Sequence, residues 1–243
     1  MKRPAAWSRR ELLAFGWLPF FRPKHIAVAG ARFRILRNGR STRHYLHIHG
    51  NEDTAREVLE RHMETHEGIA FLVENQTRNL MVEGLQLDPN RMFSRVGTEI
   101  SLKGLNPDST PEQREAAQRT LDRGREHLLS AFLPPPMRGV LIAVHNNSEQ
   151  YSVMDETPIS DAASLREAGN PHAFFLCTDP MDFAVLSQSP YNAVLQQKKP
   201  EEDDGSLSRL AARRSIRYVN LEVRLGNKDR QTEMLRWLDW NLP

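Results

Sequence analysis

His44-Tyr45-Leu46-His47-Ile48 runs without a break into His49-Gly50-Asn51-Glu52, and residues 54–66 follow. The first five residues read as a strand. Over 54–66, Ala55, Val58, Leu59 and Met63 recur at helical spacing and make one apolar face, and Gly68 is expected to close that helix. Ile69-Ala70-Phe71-Leu72-Val73 is a short unbroken apolar run, which suits a strand covered on both faces. Strand, helix, strand in this order predicts an α/β unit.

Upstream, residues 25–29 and 32–36 read as strands broken by Gly30, and Asn38-Gly39 is a hairpin-grade turn signal. Downstream, residues 106–111 are a linker ending in a helix start, with Thr110 as cap, Pro111 at the first position and Gln113 completing a capping box. That helix is expected to reach about Phe132 and stop at Pro134-Pro135-Pro136. Gly139-Val140-Leu141-Ile142-Ala143-Val144-His145 is a second buried strand, ending in a histidine. Residues 173–177 and 216–224 read as further strands, 198–208 as a charged, mobile-looking loop, and 231–238 as a closing helix. Alternating strands and helices without internal repeats predict one α/β domain over 24–243, with a mixed, largely parallel sheet and helices on both faces.

The chain has 243 residues, enough for one well-buried core. Thirty-three Lys and Arg nearly cancel 31 Asp and Glu, and the net charge of +2 gives no electrostatic case for binding nucleic acid or a membrane. The single Cys177 excludes an internal disulfide framework and a cysteine-based metal cluster. Residues 1–23 form a separate extension. Ser8-Arg9-Arg10-Glu11-Leu12-Leu13 resembles a twin-arginine export signal, and the apolar stretch after it is too short to span a bilayer. Two readings stand: an export signal peptide that would place the protein in the periplasm, or the amphipathic N-terminal helix of a cytoplasmic protein.

Ligands of open α/β sheets bind beyond the carboxyl ends of the strands, where His49 and His145 both fall. Glu52, three residues after His49, is expected in the first turn of the next helix, with Asn51 as its cap and Gly50 allowing a tight turn. Two histidines and one glutamate with a fourth position open to water make a standard catalytic zinc arrangement.

His49-Gly50-Asn51-Glu52 resembles the H-x-x-E motif of zinc carboxypeptidases, most closely that of the aspartoacylase and succinylglutamate desuccinylase branch. Asp88-Pro89-Asn90-Arg91-Met92-Phe93 is similar to that family's D-x-N-R-x-F motif. Val144-His145-Asn146-Asn147 is similar to its third-ligand strand, and Asn220-Leu221-Glu222-Val223 to its late strand bearing a catalytic glutamate. The four motifs occur in the family's order and together cover residues 44–224. The resemblance implies a carboxypeptidase-like fold holding one zinc ion through His49, Glu52 and His145. Asp88 would orient a ligand imidazole, Asn90 and Arg91 would hold a substrate carboxylate, and Glu222 would be the general base. It departs from the family where an oxyanion arginine is usual: Glu83 lies there, so Arg78, Arg95 and Arg138 are all open for that role. Tyr191, before the charged loop, is a candidate for the substrate-binding tyrosine of carboxypeptidases, with packing as its alternative.

Other motifs compete for attention. His62 and His66 have ligand-like i,i+4 spacing, yet they fall at a helix end, where solvated histidines favour the helix dipole. His44 and His47 are expected to pack, Glu201-Glu202-Asp203-Asp204 to be a solvated loop, and Arg217 to reach either the pocket mouth or a surface ion pair. The expected function is a zinc metallohydrolase cleaving an amide next to a free carboxylate. Its substrate would be a peptide C-terminus, including a cell-wall peptide, or an N-acyl amino acid; a zinc-retaining binding protein without turnover is the remaining alternative.

Overall fold

The computed structural model describes residues 24–243 apart from Met137 and Lys199. The expectation for residues 1–23 falls outside the described residues. The chain enters the sheet through a hairpin in which β1 (Lys24–Val28) and β2 (Ala31–Asn38) pair antiparallel. Ala29 and Gly30 form its turn, both at positive φ (48° and 85°), the geometry that matches the strands' right-handed twist.

Next come β3 (Arg43–His47), α1 (Asp53–Thr65) and β4 (Gly68–Val73). β4 pairs antiparallel with β2 and parallel with β3, so it lies between them. Asn38-Gly39 therefore does not make a hairpin between β2 and β3. β4 is buried at every residue and needs an interior place, whereas β2 is partly exposed. Gly68 does not cap α1 either: it begins β4, where an added Cβ would fall 2.5 Å from the Tyr45 ring.

A small hairpin, β5 (Leu80–Val82) with β6 (Leu85–Leu87), stands apart from the main sheet. It leads through a 3-10 turn, Pro89–Arg91, into α2 (Arg95–Leu105). α3 (Pro111–Phe132) starts with the expected capping box between Thr110 and Gln113. Then follow β7 (Val140–Asn147), α4 (Val153–Glu156), β8 (Ala162–Ser164), β9 (Phe174–Cys177), α5 (Pro180–Leu186) and β10 (Asn192–Leu195). The chain ends with α6 (Leu207–Arg213), β11 (Tyr218–Arg224) and α7 (Lys228–Asn241).

The nine-stranded sheet runs β1-β2-β4-β3-β7-β11-β9-β10-β8. It is mixed, but less parallel than its apolar runs suggested. β4, β3, β7 and β11 form a parallel centre, while β11 meets β9 antiparallel and both edges are antiparallel. Strand alternation feeds two cores. Val140, Ile142 and Val144 of β7 pack with α1 and α7, while Leu141 and Ala143 face α3 and α6. Among the described residues no helix is long and apolar enough to cross a membrane.

Candidate metal centre

The alternation of β7 continues past its apolar residues and aims the polar ones. His145 falls on the face of Leu141 and Ala143, and Asn146 on the face of Val144. In β11, Tyr218, Asn220 and Glu222 share one face by the same rule, and Glu222 is in register with His145. His49 sits two residues beyond β3, at the same end of the sheet. These side chains line one cavity of about 500 Å³ at the carboxyl ends of the central strands.

Glu52 occupies the cap position of α1 rather than its first turn, and neither it nor Asn51 caps the helix with a side chain. Its carboxylate points instead to the histidines. His49 Nδ1 lies 2.7 Å from Glu52 Oε1, and His145 Nδ1 lies 3.2 Å from Glu52 Oε2. The two Nδ1 atoms are 3.2 Å apart. Gly50 is required by crowding rather than by its dihedral angles: a Cβ there would fall 2.1 Å from the Asn75 carbonyl oxygen.

All three groups are buried. Two imidazole nitrogens and a carboxylate therefore converge on one point, and this cluster could hold a metal ion. The donor set fits: nitrogens bound to one zinc at about 2.0–2.1 Å in tetrahedral array stand roughly 3.3 Å apart, close to the separation of the two Nδ1 atoms. On the outer side, His49 Nε2 lies 2.9 Å from Asp88 Oδ1, the contact that leaves Nδ1 facing inward.

Burial disfavours charge on His49, but the Glu52 and Asp88 carboxylates outweigh it and raise the imidazole to about 9. Burial likewise opposes charge on Glu52, yet His145 and His49 hold it well below the usual carboxylate range. Glu222 is the opposite case. Burial pushes its carboxyl up, with Glu52 adding repulsion, and Asn220 Nδ2 donates to its Oε1 at 3.0 Å.

The floor beneath the centre is braced from the other face. The Asn146 backbone N–H donates to Glu52 Oε2 (3.0 Å), and its side chain accepts from Ala55 N (2.8 Å) and donates to Gln231 Oε1 of α7 (3.0 Å). Gln231 in turn donates to the His145 carbonyl at 2.8 Å. His47 lies outside the cavity. It is fully buried, burial pushes it down to about 4, and its Nε2 contacts the Glu52 carbonyl at 3.1 Å.

Of the three arginines open for an oxyanion role, Arg78 lines the cavity, 3.3 Å from Glu52 Oε1 and 3.4 Å from Asp88 Oδ2. Arg95 pairs with Glu115 and Asp122, and Arg138 precedes β7 at the opposite end of the sheet. Asn90 and Arg91 line the cavity. Asn90 Oδ1 accepts from Leu207 N (3.1 Å), and Arg91 Nη1 pairs with Asp204 Oδ2 (3.1 Å).

The charged loop is thus no free solvated segment at its end: Asp204 reaches into the cavity wall, and the Gly205 carbonyl accepts from Phe93 N at 3.1 Å. Tyr191 is not in the cavity. It is buried against Phe175 and Trp237 on the far face, with the Arg230 guanidinium 4.8 Å from its ring centroid. Arg217 pairs with Asp182, at the end of β11 away from Glu222. His62 is no solvated helix end, because α7 covers it and its Nε2 lies 2.6 Å from Asp239 Oδ2.

The reading of the sequence missed Arg209 and Tyr151, both cavity residues. Arg209 is 6% exposed, donates to Gln196 Oε1 at 2.6 Å, and has a buried Nε without a partner among the described residues. Local pattern gave no signal for it: Leu207, Leu210 and Ala211 make the apolar face of α6, position 209 falls on the opposite side, and only tertiary packing buries it. Tyr151 donates to Glu156 Oε1 at 2.6 Å. Scans of protein-family models and of curated sequences found no match to this chain.

Proposed function

We propose that this protein is a zinc-dependent hydrolase of carboxypeptidase-like fold that cleaves an amide bond next to a free carboxylate. The observation that carries the reading is the convergence of His49 Nδ1, His145 Nδ1 and the Glu52 carboxylate beside a buried, proton-avid Glu222. A bound zinc would supply Lewis acidity, polarising the amide carbonyl and making water easier to deprotonate.

Each residue then has a physical task. Asp88 takes the His49 Nε2 hydrogen and keeps the lone pair of Nδ1 facing inward. Glu222, with its raised proton affinity, takes a proton from water and returns it to the leaving nitrogen. Arg78, at the rim, faces the position where negative charge grows on the carbonyl oxygen. Arg91 presents a planar fork to a substrate carboxylate, exchanging its present partner Asp204 for it, and Asn90 Nδ2 adds a donor.

A second substrate reading is favoured by Arg209. A buried guanidinium in addition to that of Arg91, in a cavity of about 500 Å³ with few apolar residues in its wall, suits a small N-acyl amino acid with two carboxylates better than a peptide with an apolar side chain. Tyr191, the substrate tyrosine of the carboxypeptidase reading, lends that reading no support, being buried on the other face. A buried carboxyl of raised proton affinity at 222, beside the ligand cluster, favours turnover over a binding protein without it.

The decisive variant is Glu222→Gln. Zinc content is expected to stay near one at this centre while hydrolysis falls by roughly 10²–10⁴-fold. Peptides and N-acyl amino acids assayed side by side separate the two substrates. Unchanged turnover in the variant would remove Glu222 from the mechanism.

A further inference from the structure

At the far end of α1, His62 and His66 stack with ring centroids 3.9 Å apart, and Asp239 of α7 lies across from them. Stacked imidazoles aim their in-plane lone pairs along parallel planes, so sharing an ion requires the partly exposed His66 ring to turn out of the stack. We propose that His62, His66 and Asp239 form a second site for a divalent transition-metal ion, one that clamps α1 to α7 and is independent of the centre at His49. A potential ligand atom from each of the three residues lies within 4.8 Å of the others.

His62 and Asp239 are held in place, and His66 supplies the third ligand by turning its ring. His66 Nδ1 is turned back on its own helix, 3.2 Å from the His62 carbonyl and 2.9 Å from Thr65 Oγ1, so Nε2 is the free nitrogen. Asp239 Oδ1 accepts from Tyr45 OH (2.7 Å) and Arg43 Nη1 (3.0 Å), which fixes the carboxylate and leaves Oδ2 for an ion. Without metal, Oδ2 shares a proton with His62 Nε2 at 2.6 Å, and an ion would displace that proton. Imidazole nitrogens with one carboxylate suit zinc, nickel or copper better than calcium or magnesium. Arg43 from β3 and Arg236 from α7 face the cluster and oppose a cation there, as Arg78 does at the His49 centre.

Its position gives the ion a consequence. α1 begins immediately after Glu52, and α7 carries Gln231, which holds the His145 carbonyl. Metal at the far ends of these helices fastens the two elements whose near ends brace the candidate centre.

The test is zinc stoichiometry by equilibrium dialysis of the chelator-stripped full chain at micromolar free zinc, compared across variants. His66→Ala and His66→Gln, at a partly exposed position, are expected each to lose one equivalent that His145→Ala retains, and to lose the zinc-dependent rise in melting temperature that His145→Ala keeps. If both His66 variants bind as much zinc as the parent, the proposal is overturned. Because the comparison is between variants, a failure of the centre at His49 leaves the result readable.

Discussion

Asn146 ties three elements together, and removing its side chain isolates that contribution. In Asn146→Ala the Ala55 N–H in the first turn of α1 loses its acceptor (2.8 Å), the Gln231 amide oxygen loses its donor (3.0 Å), and the Val223 carbonyl loses one at 3.2 Å. Ala55, Gln231 and Val223 are each fully buried, so water does not replace the lost partners. Stranding a buried polar group costs roughly 1–3 kcal/mol, so the first two alone amount to about 2–6 kcal/mol. Against a total stability of about 5–15 kcal/mol for an ordinary domain, that is a large share.

Asn147→Ala is the internal control. Asn147 is equally buried, but among the described residues its side chain makes one bond, to the His172 carbonyl at 2.8 Å, and its Oδ1 has no partner. That variant is expected to lose at most about 1 kcal/mol. Urea unfolding of the metal-free proteins at neutral pH measures both, with unchanged slopes showing that the compared states are the same. Zinc titration should also weaken in Asn146→Ala, because the first turn of α1 behind Glu52 is loosened. Equal, small losses for the two variants would refute the brace assigned to Asn146.

Two further outcomes follow from the same geometry. In metal-free protein His49 is held at about 9, above the ordinary imidazole, so its ion pairs with Glu52 and Asp88 are fully present below about pH 6.5 and are lost as pH rises through 9. The urea midpoint of chelator-treated protein should fall across that window while zinc affinity rises, since the ligand must be deprotonated; a flat midpoint would count against the charged His49. Gly50→Ala places a methyl 2.1 Å from the Asn75 carbonyl oxygen and should cost about 1–3 kcal/mol in thermal unfolding with weakened zinc uptake, whereas a neutral result would mean that the 75–77 loop moves freely.

Much of the architecture could be read from local pattern. The unbroken apolar runs of β4 and β7 announced buried strands, the apolar face of α1 its helix, and Thr110 with Gln113 the start of α3, because each signal is a property of neighbouring residues. His49, Glu52 and His145 were also singled out from sequence, since ligands cluster at the carboxyl ends of strands and those ends were identifiable.

What local pattern does not carry is which strand lies beside which. Asn38-Gly39 is an adequate hairpin turn, yet β4 is inserted between β2 and β3, because burying a fully apolar strand outweighs a turn preference. Tyr191 before the charged loop looked placed for substrate and is instead enclosed by Phe175 and Trp237, residues distant in sequence. Arg209 is buried only because other segments, that of Gln196 among them, cover its side of α6, and His62 is covered only because α7 returns over α1. The sequence alone determined the layers, the strand ends and the trio of ligand-type residues that fall there. The tertiary structure decided the strand order, the brace through Asn146 and Gln231, and the company each charged side chain keeps, since burial and pairing depend on contacts between segments far apart in the chain.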